Sequence, residues 1–228
     1  MTPQTSVSSS GWLRAAPVVV LLGAGLILTL SWGALPDRWI VHWGLNGPDG
    51  WADRTVSQVF APLLFGLVVC LFLEGVATGL VLVPGRMDPR LSPRGAAAVG
   101  RLTGDLVRTI NVALALMFGV LAVGLPLLQP LGPALVVMAA LCLVLGGTGI
   151  GVVRMALAFK AAVASGELEA IPGYNGIIYR NPNDPRLMVP KLTGMGSTLN
   201  FAHPWALPTL GLFLLGPLLG VVLLLATL

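Results

Sequence analysis

Glu74 is the residue of this sequence with the most to explain. It is the one charge between Arg54 and Arg86. An ionised side chain at the centre of a membrane helix costs about 2.5–3.5 kcal/mol on insertion scales. Such a group must face other helices or water, find a partner, or carry a proton. At ~1.5 Å of rise per residue it lies ~14 Å from the nearer end of its apolar stretch. Partners are available further on. Arg101, Asp105, Arg108 and Asn111 recur at spacings of four, three and three, so they share one helix face. Arg108 and Asn111 lie ~6–10 Å deep by the same arithmetic, and Arg154 reaches a similar depth on a later helix. Glu74 is therefore expected to pair with Arg108 or Arg154. Two chemistries fit the cluster Glu74, Asp105, Arg108, Asn111 and Arg154. One is a polar pocket that binds a ligand or relays a proton. The other is a structural ion pair that locks three helices.

The two histidines raise a metal or triad chemistry and then weaken it. Zinc needs about four ligands in one place, and neither HExxH nor a paired-His spacing occurs. His42, with Asp49 and Asp53, falls in one polar segment and His203 in another. The apolar runs put a ~30 Å hydrocarbon core between them. No metal and no cofactor are expected, and no Ser-His-Asp set can be built. A cluster of Tyr179, Asn181, Asp184, Asn200 and His203 is the only candidate for an intramembrane enzyme, and its spacing does not demand one. Cys70 and Cys142 have no CxxC partner and read as buried packing residues. Gly75/Gly79, Gly100/Gly104, Gly147/Gly151 and Gly216/Gly220 are GxxxG spacings. These read as helix-packing seams, within the chain or between copies in a homo-oligomer.

The elements that must position these residues follow from composition. The 228 residues hold 13 Lys+Arg and 9 Asp+Glu, so 10% are charged and 56% hydrophobic; mean hydropathy is +0.89. A soluble domain carries about 25% charge. The composition excludes an ordinary soluble enzyme, a disordered chain and a fibrous repeat. It predicts an all-α polytopic membrane protein with five spans: roughly 16–35, 59–83, 104–127, 133–158 and 205–227. The 45-residue uncharged run 109–153 is too long for one span, and its PLLQPLGP centre reads as a turn between two. The first span is too long for a secretory h-region and is read as retained. Domain limits follow: a disordered cytoplasmic tail 1–15, a four-helix membrane region 16–158, a cytoplasmic segment 159–204, and a fifth helix 205–228.

Lys/Arg placement sets the orientation. Arg86, Arg90, Arg94 and Arg101 cluster after span two, and Arg154, Lys160, Arg180, Arg186 and Lys191 after span four. Loop 36–57 has only Arg38 and Arg54. The amino terminus is thus expected in the cytoplasm, loop 36–57 outside, and the carboxyl terminus outside a plasma membrane. The net charge of +4 is explained by this rule, so no nucleic-acid partner is inferred. All six Trp fall near predicted span boundaries, where indole rings favour the membrane interface.

Two polar segments remain. The outer one reads as a compact Trp-rich loop with turns at Asn46-Gly47 and Pro48-Asp49-Gly50. In the inner one, the fourth helix is expected to continue to about Ala170. Then IIYR and RLMV should pair as a hairpin around NPNDP, followed by a loop broken at Gly194 and Gly196. The tetrapeptide DPRL occurs at Asp88–Leu91 and at Asp184–Leu187; without surrounding similarity the repeat reads as chance.

The outer segment resembles the N-terminal domain of unknown function of SdpI-type proteins. SdpI is the bacterial membrane immunity and signalling protein for a secreted sporulation-delay toxin. The matching residues are Leu35, Pro36, Asp37, Arg38, His42, Trp43, Gly47, Pro48, Asp49, Gly50 and Trp51. The inner segment resembles a second uncharacterised domain that accompanies it, through Tyr179, Asn181, Asp184, Arg186, Leu187, Lys191, Asn200 and Phe201, with His203 just beyond. The resemblance implies a non-enzymatic immunity or signal-transduction protein. The outer loop would meet an extracellular peptide or envelope stress, and the inner segment a cytosolic repressor. The alternatives are a transport component built on Glu74 and the intramembrane enzyme above.

Overall fold

A computed structural model describes residues 11–44, 47–83, 88–129, 132–176, 178–193 and 196–226. Asn46, Arg86, Gly194, the tail 1–10, the Pro130-Leu131 pair and the Trp43 side chain lie outside the described residues. Among those described are five α-helices: α1 (Gly11–Leu30), α2 (Val56–Leu82), α3 (Pro93–Leu127), α4 (Pro133–Ala164) and α5 (Ala206–Ala226). Two small antiparallel ribbons complete the chain. β1 (Arg38–Gly44) lies beside β2 (Gly47–Asp53), and β3 (Met188–Pro190) pairs with β4 (Ser197–Leu199). Helices α1 to α4 are long and apolar enough to cross a membrane.

The helix ends are written in local chemistry. Thr55 caps α2, its Oγ1 accepting from Gln58 N–H at 3.3 Å, and the Gln58 side chain reaches back to Asp53 N–H. Ser92 caps α3, accepting from Gly95 N–H at 3.1 Å, with Pro93 at the first helical position. Pro133 likewise opens α4. At its other end Gly166 takes φ +72°, and Glu167 N–H bonds back to Ala162 C=O at 3.0 Å. This glycine-closed C-cap ends α4 at Ala164 rather than near Ala170. Leu168 then folds under, almost fully buried against Ala162 and Phe159.

The chain forms two compact units. The first comprises Met1–Val41, Trp51–Thr78 and Asp105–Gly151, the second His42–Gly50, Gly79–Gly104 and Val152–Leu228. In the first, Leu21, Ala24 and Leu28 of α1 share a core with Val59, Leu63 and Cys70 of α2, Ala115 and Ala122 of α3, and Trp39 and Ala52 of the ribbon. Small residues allow close approach. A Cβ on Gly147 of α4 would strike that of Ala113 on α3, and one on Gly151 would meet Leu106 at 2.9 Å. Gly75, Gly79, Gly216 and Gly220 have no such neighbour. Gly147/Gly151 is thus a packing seam within the chain. In the second unit Val99, Phe159, Ala162, Leu168, Ile171 and Leu192 form a separate core.

Three expectations change. The outer segment is a β-ribbon, not a loop lying flat, and its Trp39 is buried in the core at 4% exposure. RLMV does not pair with IIYR. Its Met188 and Val189, with the following Pro190, pair with Leu199, Thr198 and Ser197, while Tyr179 bridges to Tyr174 and to Asn200. The reason lies at Asp184, whose carboxylate takes the backbone N–H and side chain of Arg186, turning the chain out of line with residue 179. Finally, Cys142 is exposed on α4, and only Cys70 is buried.

Candidate functional site

The first unit holds the embedded charges. Arg108 is 2% exposed, among the largest fully buried side chains described. Its Nε donates to both carboxylate oxygens of Glu74 at 3.1 Å, and its Nη1 to Asp105 Oδ1 at 3.4 Å. Thr78, one turn beyond Glu74 on α2, donates its hydroxyl to Glu74 at 3.1 Å. Arg14 of α1 approaches the same carboxylate at 3.8 Å. Two cations and two carboxylates from three helices thus form a neutral set around the buried Arg108 guanidinium, whose burial requires such partners. One turn further along, Asn111 Nδ2 donates to Cys70 C=O at 3.0 Å. Asn111 is 1% exposed, and its Oδ1 has no partner among the described residues.

The expected partner Arg108 is therefore the one used, and Arg154 is not. Arg154 is exposed on α4 in the second unit, with no ion pair among the described residues. Arg101 also leaves the expected stripe to pair with Glu167. Arg14 and Thr78 were not anticipated. Thr78 was legible as the i+4 neighbour of Glu74, and Arg14 as the first charge before the first apolar run.

The ribbon β1–β2 carries the outer motif. His42 Nδ1 is hydrogen-bonded to Asp49 Oδ1 across it. Gly44 and Gly50 make room, since a Cβ on either would collide with Asp49 or His42. At its base Asp37 pairs with Arg54, whose Nη1 also donates to Leu35 C=O at 3.0 Å. Arg38 pairs with Asp53 at 3.3 Å and lies over the Trp51 ring at 5.5 Å. His42 and Asp49 are solvent-exposed. They form a surface pair with no third metal-type ligand among the described residues.

The inner motif residues come together in the second unit, around Asn200. That side chain is fully buried and fully used. Its Nδ2 donates to Asn181 and Asp184 C=O, both at 2.9 Å. Its Oδ1 accepts from Asn181 N–H at 3.0 Å and Ala202 N–H at 3.1 Å. Tyr179 donates its hydroxyl to Asp184 at 2.9 Å and accepts from Asn181 Nδ2 at 3.2 Å. His203 Nδ1 accepts from Trp205 N–H at 3.2 Å, which makes it a cap for α5. Lys191 contributes its backbone N–H to Gly196 C=O, its side chain remaining exposed. The side chains of Tyr179, Asn181, Asp184 and Asn200 and the His203 Nδ1 each hold a structural bond.

The two DPRL strings share one local bonding pattern. At both places the Arg Nε donates to Asp Oδ1 at 2.9 Å, and Nη2 to Oδ2 at 2.6 Å and 2.7 Å. The Arg backbone N–H also donates to Oδ1, at 2.9 Å and 3.1 Å. The guanidinium bonds hold both the Asp88 and the Asp184 carboxyls below the ordinary carboxylate range. Asp88 and Arg90 were missed as site residues, although the repeated string signalled them.

Residues 182–207 match a family of unknown function, DUF5808. That stretch runs from Pro182 through the second DPRL turn, β3, β4 and the His203 cap into the first residues of α5. No curated protein and no solved structure matched the chain.

Proposed function

We propose that this chain is a five-span plasma-membrane protein of immunity or signal-transduction type. In this reading the amino terminus and residues 159–204 are cytoplasmic, and the ribbon and carboxyl terminus extracytoplasmic. Helix α5, 21 residues long and apolar, supplies the fifth span. The ribbon meets an extracellular peptide or an envelope stress signal, and the DUF5808 stretch holds a cytosolic repressor. The observation that carries the reading is the closed Arg14–Glu74–Arg108–Asp105 set. Its carboxylates are occupied by the protein's own cations, which suits a latch joining α1, α2 and α3 better than a passage that must release an ion. The SdpI-type resemblance at Asp37, His42, Asp49 and Trp51 supports it further.

Crosslinking of the tagged full-length chain in membranes, under envelope stress, tests this. Recovery of a transcriptional regulator, reduced by Trp51→Ala without loss of protein, is expected. Recovery of no regulator, toxin or transport partner would count against it. Transport is the second reading, favoured by the unpartnered Asn111 Oδ1 beside the ion pair. An unchanged flux or resistance phenotype in Glu74→Gln would remove its support.

A further inference from the structure

The two Asp-Pro-Arg turns share more than a sequence. Each carboxylate grips its arginine by the Nε–Nη2 edge, so Nη1 takes no part in the bond. The Arg90 and Arg186 side chains are 46% and 58% exposed. The turns are joined through two tyrosines. Arg90 lies over the Tyr174 ring at 6.0 Å, Tyr174 and Tyr179 have ring centroids 4.7 Å apart, and Tyr179 bonds Asp184. The surroundings are basic: residues 88–104 and 152–226 hold eight Lys/Arg and four Asp/Glu. Finally, the first turn adjoins two helices long and apolar enough to cross a bilayer, since Asp88 lies in the short connection between the end of α2 and the start of α3, and the second turn is joined to it through the tyrosines.

We propose that the paired turns form a phosphate-recognition site that binds the headgroups of anionic phospholipids. A guanidinium held on one edge by a carboxylate offers its other edge as a fixed fork, and phosphate oxygens match that fork in a bidentate way. The aspartates cost net charge, so their contribution is orientation. Phospholipid is the source chosen because the first turn sits where two apolar helices end, with the second joined to it, and basic pockets at such ends favour anionic lipids. The site involves binding alone and is independent of the signalling reading.

Native mass spectrometry of the full-length protein with phosphatidylglycerol and phosphatidylcholine tests it. Arg90→Lys/Arg186→Lys keeps both charges and removes both forks. Phosphatidylglycerol binding should weaken about tenfold, the worth of one good charged hydrogen bond, with helical content and melting unchanged. Unchanged binding would show that charge alone suffices and would overturn the proposal. If the double variant misfolds, Arg186→Lys alone carries the test, since its side chain bonds only Asp184 among the described residues. Asp184→Asn gives a test of sign. Charge attraction alone predicts tighter binding, and the oriented fork predicts weaker binding. Excess inorganic phosphate should not displace the lipid; displacement would make free phosphate the ligand and refute the lipid assignment. An equal loss in the control Arg154→Gln/Lys160→Gln would mark a diffuse basic surface and also refute it.

Discussion

Arg108 and Arg186 solve the same problem at opposite extremes. Each binds a carboxylate through the guanidinium. Arg186 finds Asp184 two residues away, in a turn mostly open to solvent, whereas Arg108 finds Glu74 34 residues away on another helix and is itself buried. The local pair is set by a short string and recurs wherever that string recurs, as at Asp88 and Arg90. The distant pair exists only if α2 and α3 dock in register. Water screens the first, so it orients groups more than it stabilises them. The second sits where an unpaired charge is expensive, and so it constrains the packing of the first unit.

The comparison breaks most severely at Arg108. Arg108→Ala leaves Glu74 and Asp105 with only the exposed Arg14 nearby, and should cost about 3–5 kcal/mol, read as a large drop in the melting temperature in micelles. Asn200→Ala comes next. It strands two carbonyls and two N–H groups in the second unit and should cost about 1–3 kcal/mol. Amide exchange should then rise across residues 178–205 and stay unchanged in α1 to α3.

Acid gives a smaller and selective effect. Asp88 and Asp184 have folded pKa values below their unfolded ones. Their stabilisation is therefore complete above the ordinary carboxylate pKa of about 3.9. It is lost as pH falls below that value through the folded one. Exchange protection of the second unit should decline over that range, and Asp184→Asn should flatten the response. The smallest effect is expected at the ribbon tip. His42→Ala removes an exposed pair and should change stability by less than about 1 kcal/mol, leaving any change in signal response attributable to recognition.

Legibility in the sequence followed the same division. The Glu74–Arg108 pair could be derived because helical rise and spacing fix depth and face. Four long apolar helices, the turn before Pro133 and the inner motif cluster were all readable from composition and breakers. The ribbon was not, although Asn46-Gly47 is a hairpin turn signal in the sequence. Its tryptophans suggested a membrane surface, and only tertiary packing buries Trp39. Strand partners in residues 171–200 depended on Asn200, whose four side-chain bonds reach up to 19 residues away and cannot be read from any local run.

The central claim is that Glu74 and Arg108 form a closed latch inside the first unit. A double-mutant cycle of Glu74→Gln and Arg108→Met, measured by unfolding in lipid nanodiscs, tests it most directly. The latch predicts that each single change is strongly destabilising and that the double change restores much of the loss, with a coupling of about 1–3 kcal/mol. Additive losses with coupling near zero would mean that the two charges act separately, and the latch would be contradicted.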